Sequence, residues 1–132
     1  MVRTLIKDIN NKKEVELAGW VNNVRDHGKI GFIELRDRTG YLQVVVDGSL
    51  FDHLPKKESS IVVHGEVIPD KRAPNGYELH ANKIEILNYS AIESPIPVNS
   101  DPIENLDVRL DNRALDLRRQ KNRDIFKIQA QL

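Results

Sequence analysis

The sequence predicts an all-β domain: a small five-stranded Greek-key barrel with a short helix between strands 3 and 4, followed by a linker and the start of a C-terminal helix. Three observations predict it. Apolar residues alternate with period two in five short runs within about 80 residues. Clusters of Gly, Pro, Asn and Asp separate those runs. A chain of 132 residues is long enough to close one small core and leaves little room for a second.

The first run spans Glu14 to Val21, where Val15, Leu17 and Val21 share one parity and Gly19 takes the intervening position. A Gly inside a strand marks a bulge or a sharp bend. In GFIELRDR, Ile33 and Leu35 lie on one face and Phe32 and Glu34 on the other; in YLQVVVD, Leu42, Val44 and Val46 share a face. Asp37-Arg38-Thr39-Gly40 joins these two strands as a short hairpin turn with Gly last. The alternation then breaks in SLFDHLPKKE, which reads as a short helical turn ending near Pro55. It resumes with Ile61, Val63 and Val67, and again with Tyr77, Leu79 and Ala81 followed by Ile84 and Ile86. Between those two strands, PDKRAPNG is a hairpin loop.

Three strands, a short helical connection and two more strands is the element order of an OB barrel. Ser90 to Pro102 holds three Pro and no periodic apolar pattern, so it reads as a linker. The chain thus divides into a barrel, 1–89, a linker, 90–105, and a helical segment, 106–132. In that last segment Leu106, Leu110, Leu115, Leu117, Ile125, Ile128 and Leu132 recur at three-to-four spacing. The pattern reaches Leu132 without a Gly, Asn or Pro stop signal, so a longer parent protein is expected.

Composition narrows the function classes. No apolar run approaches a bilayer span, and the N-terminal decade has charges scattered through it, so neither a membrane segment nor a secretory signal is expected. Zero Cys rules out disulfides and thiolate metal sites and is compatible with a cytoplasmic location. Twenty basic and 20 acidic residues cancel, which argues against a protein that grips nucleic acid by bulk charge. His27, His53, His64 and His80 are scattered at no metal-ligand spacing, so no metal site is expected. No nucleophile or phosphate-binding motif is present and Asp37 and Asp47 sit at strand ends, where Asp favours turns; no catalytic residue is assigned.

The β-hairpin makes a surface of its own. With Asp37 to Gly40 as the turn, Glu34 lies opposite Gln43 and Phe32 lies diagonal to it on the same face, a separation of about 7 to 8 Å. An aromatic ring is offered outward beside an amide. A ring stacks on an unpaired base and a Gln reads a base edge, which is how β-sheets hold single-stranded RNA. Arg25, near the end of the first strand, adds a phosphate or base-edge contact. Taken alone, an outward Phe and a solvated Gln are also ordinary surface features.

The block ELAGWVNNVRDHGKIGFIELRDRTGYLQVVV resembles the first three strands of the anticodon-binding domain of class II aspartyl-tRNA synthetases, with the asparagine and lysine enzymes similar to a lesser degree. RLDNRALDLRR followed by IFKIQAQL resembles the hinge and first helix that lead into their catalytic domain. The resemblance implies that Phe32 stacks on the middle anticodon uridine, that Gln43 hydrogen-bonds its edge and that Arg25 sits against a neighbouring anticodon nucleotide. Glu78 falls where the family reads the remaining base, a solvated strand Glu being the competing reading. His27 falls at the loop position where bacterial members that tolerate both aspartate and asparagine tRNAs tend to carry His, a surface His being the alternative. The chain departs from many relatives at Gln120, where they have Pro after the paired Arg.

For the parent, the resemblance implies a homodimeric aspartate–tRNA ligase using ATP and Mg2+, with tRNA as partner and the cofactors held outside this chain. Two other readings stay open: a stand-alone OB domain binding single-stranded nucleic acid without sequence preference, and a protein-interaction domain. The first of these predicts several exposed aromatics and a basic groove.

Overall fold

The computed structural model describes residues 3–10, 12–91, 94–98 and 105–132. Five strands form a closed barrel: β1 (Glu14–Asp26), β2 (Ile30–Arg36), β3 (Tyr41–Asp47), β4 (Ser60–Pro69) and β5 (Tyr77–Asn88). Around the barrel the order is β1-β2-β3-β5-β4, with β3 and β5 parallel and the other pairs antiparallel. This is the barrel the alternation predicts, including the helical connection, a 3₁₀ helix over Gly48–His53.

The core is the inward parity of each strand. Val15, Leu17, Val21, Ile33, Leu35, Leu42, Val44, Val46, Ile61, Val63 and Leu79 are buried together. One end of the barrel is covered by Leu50 and Leu54, and Leu54 lies against Gly31 where β2 begins. Near the other end, a 3₁₀ turn over Ile6–Asp8 brings Ile6 and Ile9 into the core. That N-terminal turn shows no period in the sequence, because two isoleucines are too few to make one. Asp37 fastens it. Its Oδ2 accepts a hydrogen bond from the Ile6 N–H at 2.9 Å, while Oδ1 accepts from Thr39 N–H, Thr39 Oγ1 and Gly40 N–H at 2.6, 2.6 and 3.1 Å.

β1 runs five residues past the end that its alternation predicts, to Asp26. A bulge explains why. Val21 pairs with Leu35 and Asn23 with Glu34, so Asn22 is an extra residue that shifts the parity by one and puts Val24 against the core. β5 carries the same device opposite His64 and Gly65, which pair with Lys83 and Ala81, so the apolar series steps from Ala81 to Ile84.

Two glycines allow the barrel to close. A Cβ on Gly19 would sit 2.4 Å from the carbonyl oxygen of Arg36, and one on Gly65 would sit 2.2 Å from that of His80. Both obstacles are backbone, which cannot step aside as a side chain can.

The chain divides into two compact units, residues 1–91 and 92–132. Half of the expected linker, residues 92–93 and 99–104, lies outside the described residues. In the second unit the helical pattern is realised as three helices: α1 (Leu106–Asp111), α2 (Arg113–Asp116) and α3 (Gln120–Gln129). The breaks fall at Asn112, with ψ 36°, and at Arg119, whose ψ of 136° is extended. Gln120 therefore opens α3 at the first helical position, the place where Pro is well tolerated. Asp116 ties α1 to α2 by accepting hydrogen bonds from Arg109 Nε and Nη2 at 3.2 and 3.1 Å. Those hydrogen bonds from Arg109 hold its carboxyl below the usual carboxylate range, against the opposing effect of burial.

Gly19→Ala is expected to lower stability by roughly 1–3 kcal/mol in urea unfolding, as an overpacked site does. Gly40→Ala, where the nearest atom to the new Cβ is 3.8 Å away, changes it by less than about 0.5 kcal/mol. Equal effects would contradict the close approach at Gly19. For Asp116 the sign follows from its depressed pKa: its contribution is present above the ordinary value of 3.8 and is lost as pH falls through the lower native value. A carboxyl-carbon NMR titration should place its midpoint below 3.8 and return it toward that value in Arg109→Ala.

Candidate nucleic-acid interface

Strand pairing aligns the outward side chains of four strands into two transverse rows. The first row is Asn23, Glu34, Gln43 and Glu78, and the second is Arg25, Phe32, Val45 and His80. The β2–β3 register, with Glu34 opposite Gln43 and Phe32 opposite Val45, is the one that the turn at Asp37–Gly40 predicts. All four residues singled out on strands, Arg25, Phe32, Gln43 and Glu78, therefore share one patch. His27 joins them from the β1–β2 loop, its ring meeting the Phe32 ring edge-on with centroids 5.4 Å apart and planes at 84°. Such a pair contributes about 0.5–1.5 kcal/mol beyond its buried area and fixes the tilt of the phenyl ring.

Gln43 is held at both ends of its amide. Its Oε1 accepts from Arg25 Nη2 at 3.4 Å, and its Nε2 donates to Glu78 Oε1 at 2.7 Å. A carboxylate only accepts, so the amide nitrogen must face Glu78 and the carbonyl must face Arg25. The second lone pair of that carbonyl and the second amide hydrogen are the groups left for a ligand. Glu78 is buried, and its other oxygen lies 3.5 Å from His80 Nε2.

Several residues of this patch were not singled out from sequence. Val45 is buried although its parity is outward, which gives the ring of Phe32 an apolar neighbour across the strands. The signal was the run of three valines, only two of which the barrel interior needs. Asn22 and Arg36 gave no signal, because an extra bulge residue and a buried Arg break the alternation rule. Both are buried, and Arg36 Nη1 donates to Asn22 Oδ1 at 2.8 Å while Asn22 Nδ2 donates to Glu34 Oε2 at 2.6 Å.

Chemically, the patch offers the Phe32 ring face, the oriented Gln43 amide, the Arg25 guanidinium and the carboxylates of Glu34 and Glu78, with Asn23 and the imidazoles of His27 and His80 beside them. Hydrogen-bond acceptors and a ring suit bases, whereas two carboxylates beside one Arg disfavour a bare phosphate backbone. Among the described residues no group of three or more His, Asp or Glu is placed to hold a metal ion, and no helix is long and apolar enough to cross a membrane.

Residues 15–87 match the family described as "OB-fold nucleic acid binding domain". The aspartate–tRNA(Asp/Asn) ligase of Saccharolobus solfataricus is 44% identical over 138 aligned positions, covering 98% of this chain and 32% of that protein. The aspartate–tRNA(Asp) ligase of Picrophilus torridus is 43% identical, covering 99% and 32%. Among solved structures, asparaginyl-tRNA synthetase from Pyrococcus horikoshii superposes with a TM-score of 0.86 at 33% identity, covering 97% of this chain and 31% of that one. Aspartyl-tRNA synthetase from Entamoeba histolytica shares the fold with a TM-score of 0.85 at 23% identity. The chain spans about a third of the length of the curated relatives it matches.

Glu78→Ala is expected to release the Gln43 amide. Its side-chain NH2 resonances should be resolved from the other amides in the parent and should move toward their free positions in the variant. Unmoved resonances would mean that the 2.7 Å contact does not set the amide orientation.

Proposed function

The chain belongs to the OB-fold nucleic acid binding domain family, and on that premise we propose that it is the anticodon-recognition module of an aspartate–tRNA ligase. The observation that carries this reading is the pairing of an outward Phe32 ring with the oriented Gln43 amide, on the face of the barrel flanked by Arg25 and Glu78. The ring stacks on the middle anticodon uridine. The free lone pair and free hydrogen of the Gln43 amide meet the uridine edge, whose N3–H donates and whose carbonyls accept. Arg25 contacts a neighbouring nucleotide and Glu78 the remaining one. Residues 1–89 make the module, 90–105 the linker and 106–132 the hinge and first helix toward a catalytic domain.

The parent ligase is cytoplasmic and homodimeric and attaches aspartate to tRNA with ATP and Mg2+. The chain spans about a third of the length of the relatives it matches, and activation of the amino acid is assigned to the remainder of the parent. A second feature concerns breadth. His27 sits edge-on against the stacking ring, at the end of the patch nearest Arg25, and relatives named for both aspartate and asparagine tRNAs match as well as one named for aspartate tRNA alone. Recognition of both tRNAs is therefore proposed on His27 alone.

Titration against an anticodon stem-loop with the aspartate anticodon, the same loop with its middle uridine replaced, and an asparagine loop tests the reading. Binding to the aspartate loop should be lost on uridine replacement and matched by the asparagine loop. Phe32→Ala should weaken it roughly 5- to 150-fold, the loss expected from one base stack. Equal binding to every loop would instead mark a general single-strand binder, and an unchanged affinity in a folded Phe32→Ala would end the stacking assignment.

A further inference from the structure

Phe32, Glu34 and Arg36 follow one another on the outer face of β2, yet only Arg36 is fully buried there. Its two terminal guanidinium nitrogens are both engaged, Nη2 with Glu58 Oε2 at 2.9 Å and Nη1 with Asn22 Oδ1 at 2.8 Å. Glu58 holds a left-handed backbone, φ 62°, which costs a non-glycine residue free energy and persists only where its surroundings enforce it. Here its own N–H donates to Val21 O at 2.7 Å, beside the bulge. Because Asn22 Oδ1 faces the buried Arg36, its Nδ2 has to face Glu34, which it meets at 2.6 Å. The chain Glu58–Arg36–Asn22 thus fixes one oxygen of the Glu34 carboxylate. The other, Oε1, takes no protein donor among the described residues, and Glu34 stands directly opposite Gln43 and two residues from Phe32.

We propose that Glu34 is a further specificity-determining residue: its Oε1 accepts a hydrogen bond from the amino group of a base next to the uridine on Phe32, and Glu58, Arg36 and Asn22 are positioning residues that hold it there. This rests on the anticodon reading above. A carboxylate so placed accepts from guanine or cytosine amino groups and rejects a base that presents an acceptor. A bulge commonly re-aims a side chain beside a functional site, and Asn22 is that residue.

The chain is titrated with the aspartate stem-loop and with two analogues of it. In one, inosine replaces the guanosine beside the middle uridine, removing its 2-amino group; in the other, a pyrimidin-2-one nucleoside replaces the cytidine, removing its 4-amino group. One analogue should cost the parent protein roughly 5- to 150-fold in affinity. In Glu34→Gln, Asn22 claims the amide oxygen, so an NH2 donor replaces the acceptor. That variant should bind the unmodified loop more weakly by a similar factor and lose its discrimination against the same analogue, and Asn22→Ala should lose discrimination with a smaller loss of affinity. Indifference of the parent to both analogues, or retained discrimination in Glu34→Gln, overturns the assignment, the first of these without needing any variant to fold. Phe32→Ala separates the two failures. Weaker binding there with Glu34→Gln unaffected removes Glu34 and keeps the anticodon reading, whereas unchanged binding in Phe32→Ala removes that reading too.

Discussion

Closure of the barrel depends on β1, which is hydrogen-bonded to two different neighbours along its length. From Glu14 to Trp20 it pairs with β4, and from Trp20 to Asp26 with β2. A strand that changes partners must bend sharply while its inward parity keeps filling the core. Gly19 permits the bend by letting the Arg36 carbonyl approach where a Cβ would be, and the extra residue Asn22 restores the register with β2 three positions later. Without both, the second half of β1 would present Asn23 and Arg25 to the core in place of Val24, since a one-residue slip turns every side chain over.

That same bend builds the outward patch of Arg25, Phe32, Gln43 and Glu78. Asn22 is the extra residue of the bulge, so its side chain departs from the alternation rule and reaches between Glu34 and Arg36. Beyond it, the restored register sets Arg25 opposite Phe32 and Asn23 opposite Glu34, and the β2–β3 and β3–β5 ladders carry the alignment across to Gln43 and Glu78. Backbone pairing alone brings residues 25, 32, 43 and 78 into two adjacent rows. Side-chain hydrogen bonds then choose the orientation of the one group in the middle, the Gln43 amide. Preorganisation of this kind lowers the ordering entropy that a ligand must overcome, as a rotamer-rich side chain loses about 0.5–1.5 kcal/mol when immobilised.

The sequence displayed the parts of this arrangement that obey a period and hid those that depart from it. Ile33, Leu35, Leu42 and Val44 announce two strands and their inner face, and the turn chemistry of Asp37 to Gly40 fixes their register, so Phe32 and Gln43 were readable as outward neighbours. The end of β1 was not, because the bulge reverses parity between Val21 and Val24. Buried Arg36 was invisible for a related reason: its burial comes from Asn22 and Glu58, which are distant in sequence and lie on irregular backbone. Glu78 was legible as a strand residue, but its alignment with Gln43 requires the parallel β3–β5 pairing, which no local pattern encodes. In the second unit the apolar spacing marked helix and gave no sign of the extended backbone at Arg119 that divides it.

The neutral charge of the chain bears on how such a face would work. A binder that draws its affinity from phosphates needs excess cations, and its affinity then falls steeply with salt. On this patch the single cation of Arg25 is outnumbered by the carboxylates of Glu34 and Glu78, so the local field favours no polyanion and, on the proposed reading, contact would run through the bases. Each carboxylate penalises a base edge that presents an acceptor, because the two like partners would be desolvated without a hydrogen bond, and an unmade bond of that kind costs about 1–3 kcal/mol. On the proposed reading, stacking on Phe32 would supply affinity for any base, so selection would have to come from these penalties. An anticodon module of the proposed kind, distinguishing among many tRNAs of nearly identical backbone, would be served by weak binding with large differences between loops, a division of labour that the balance of 20 acidic and 20 basic residues suits.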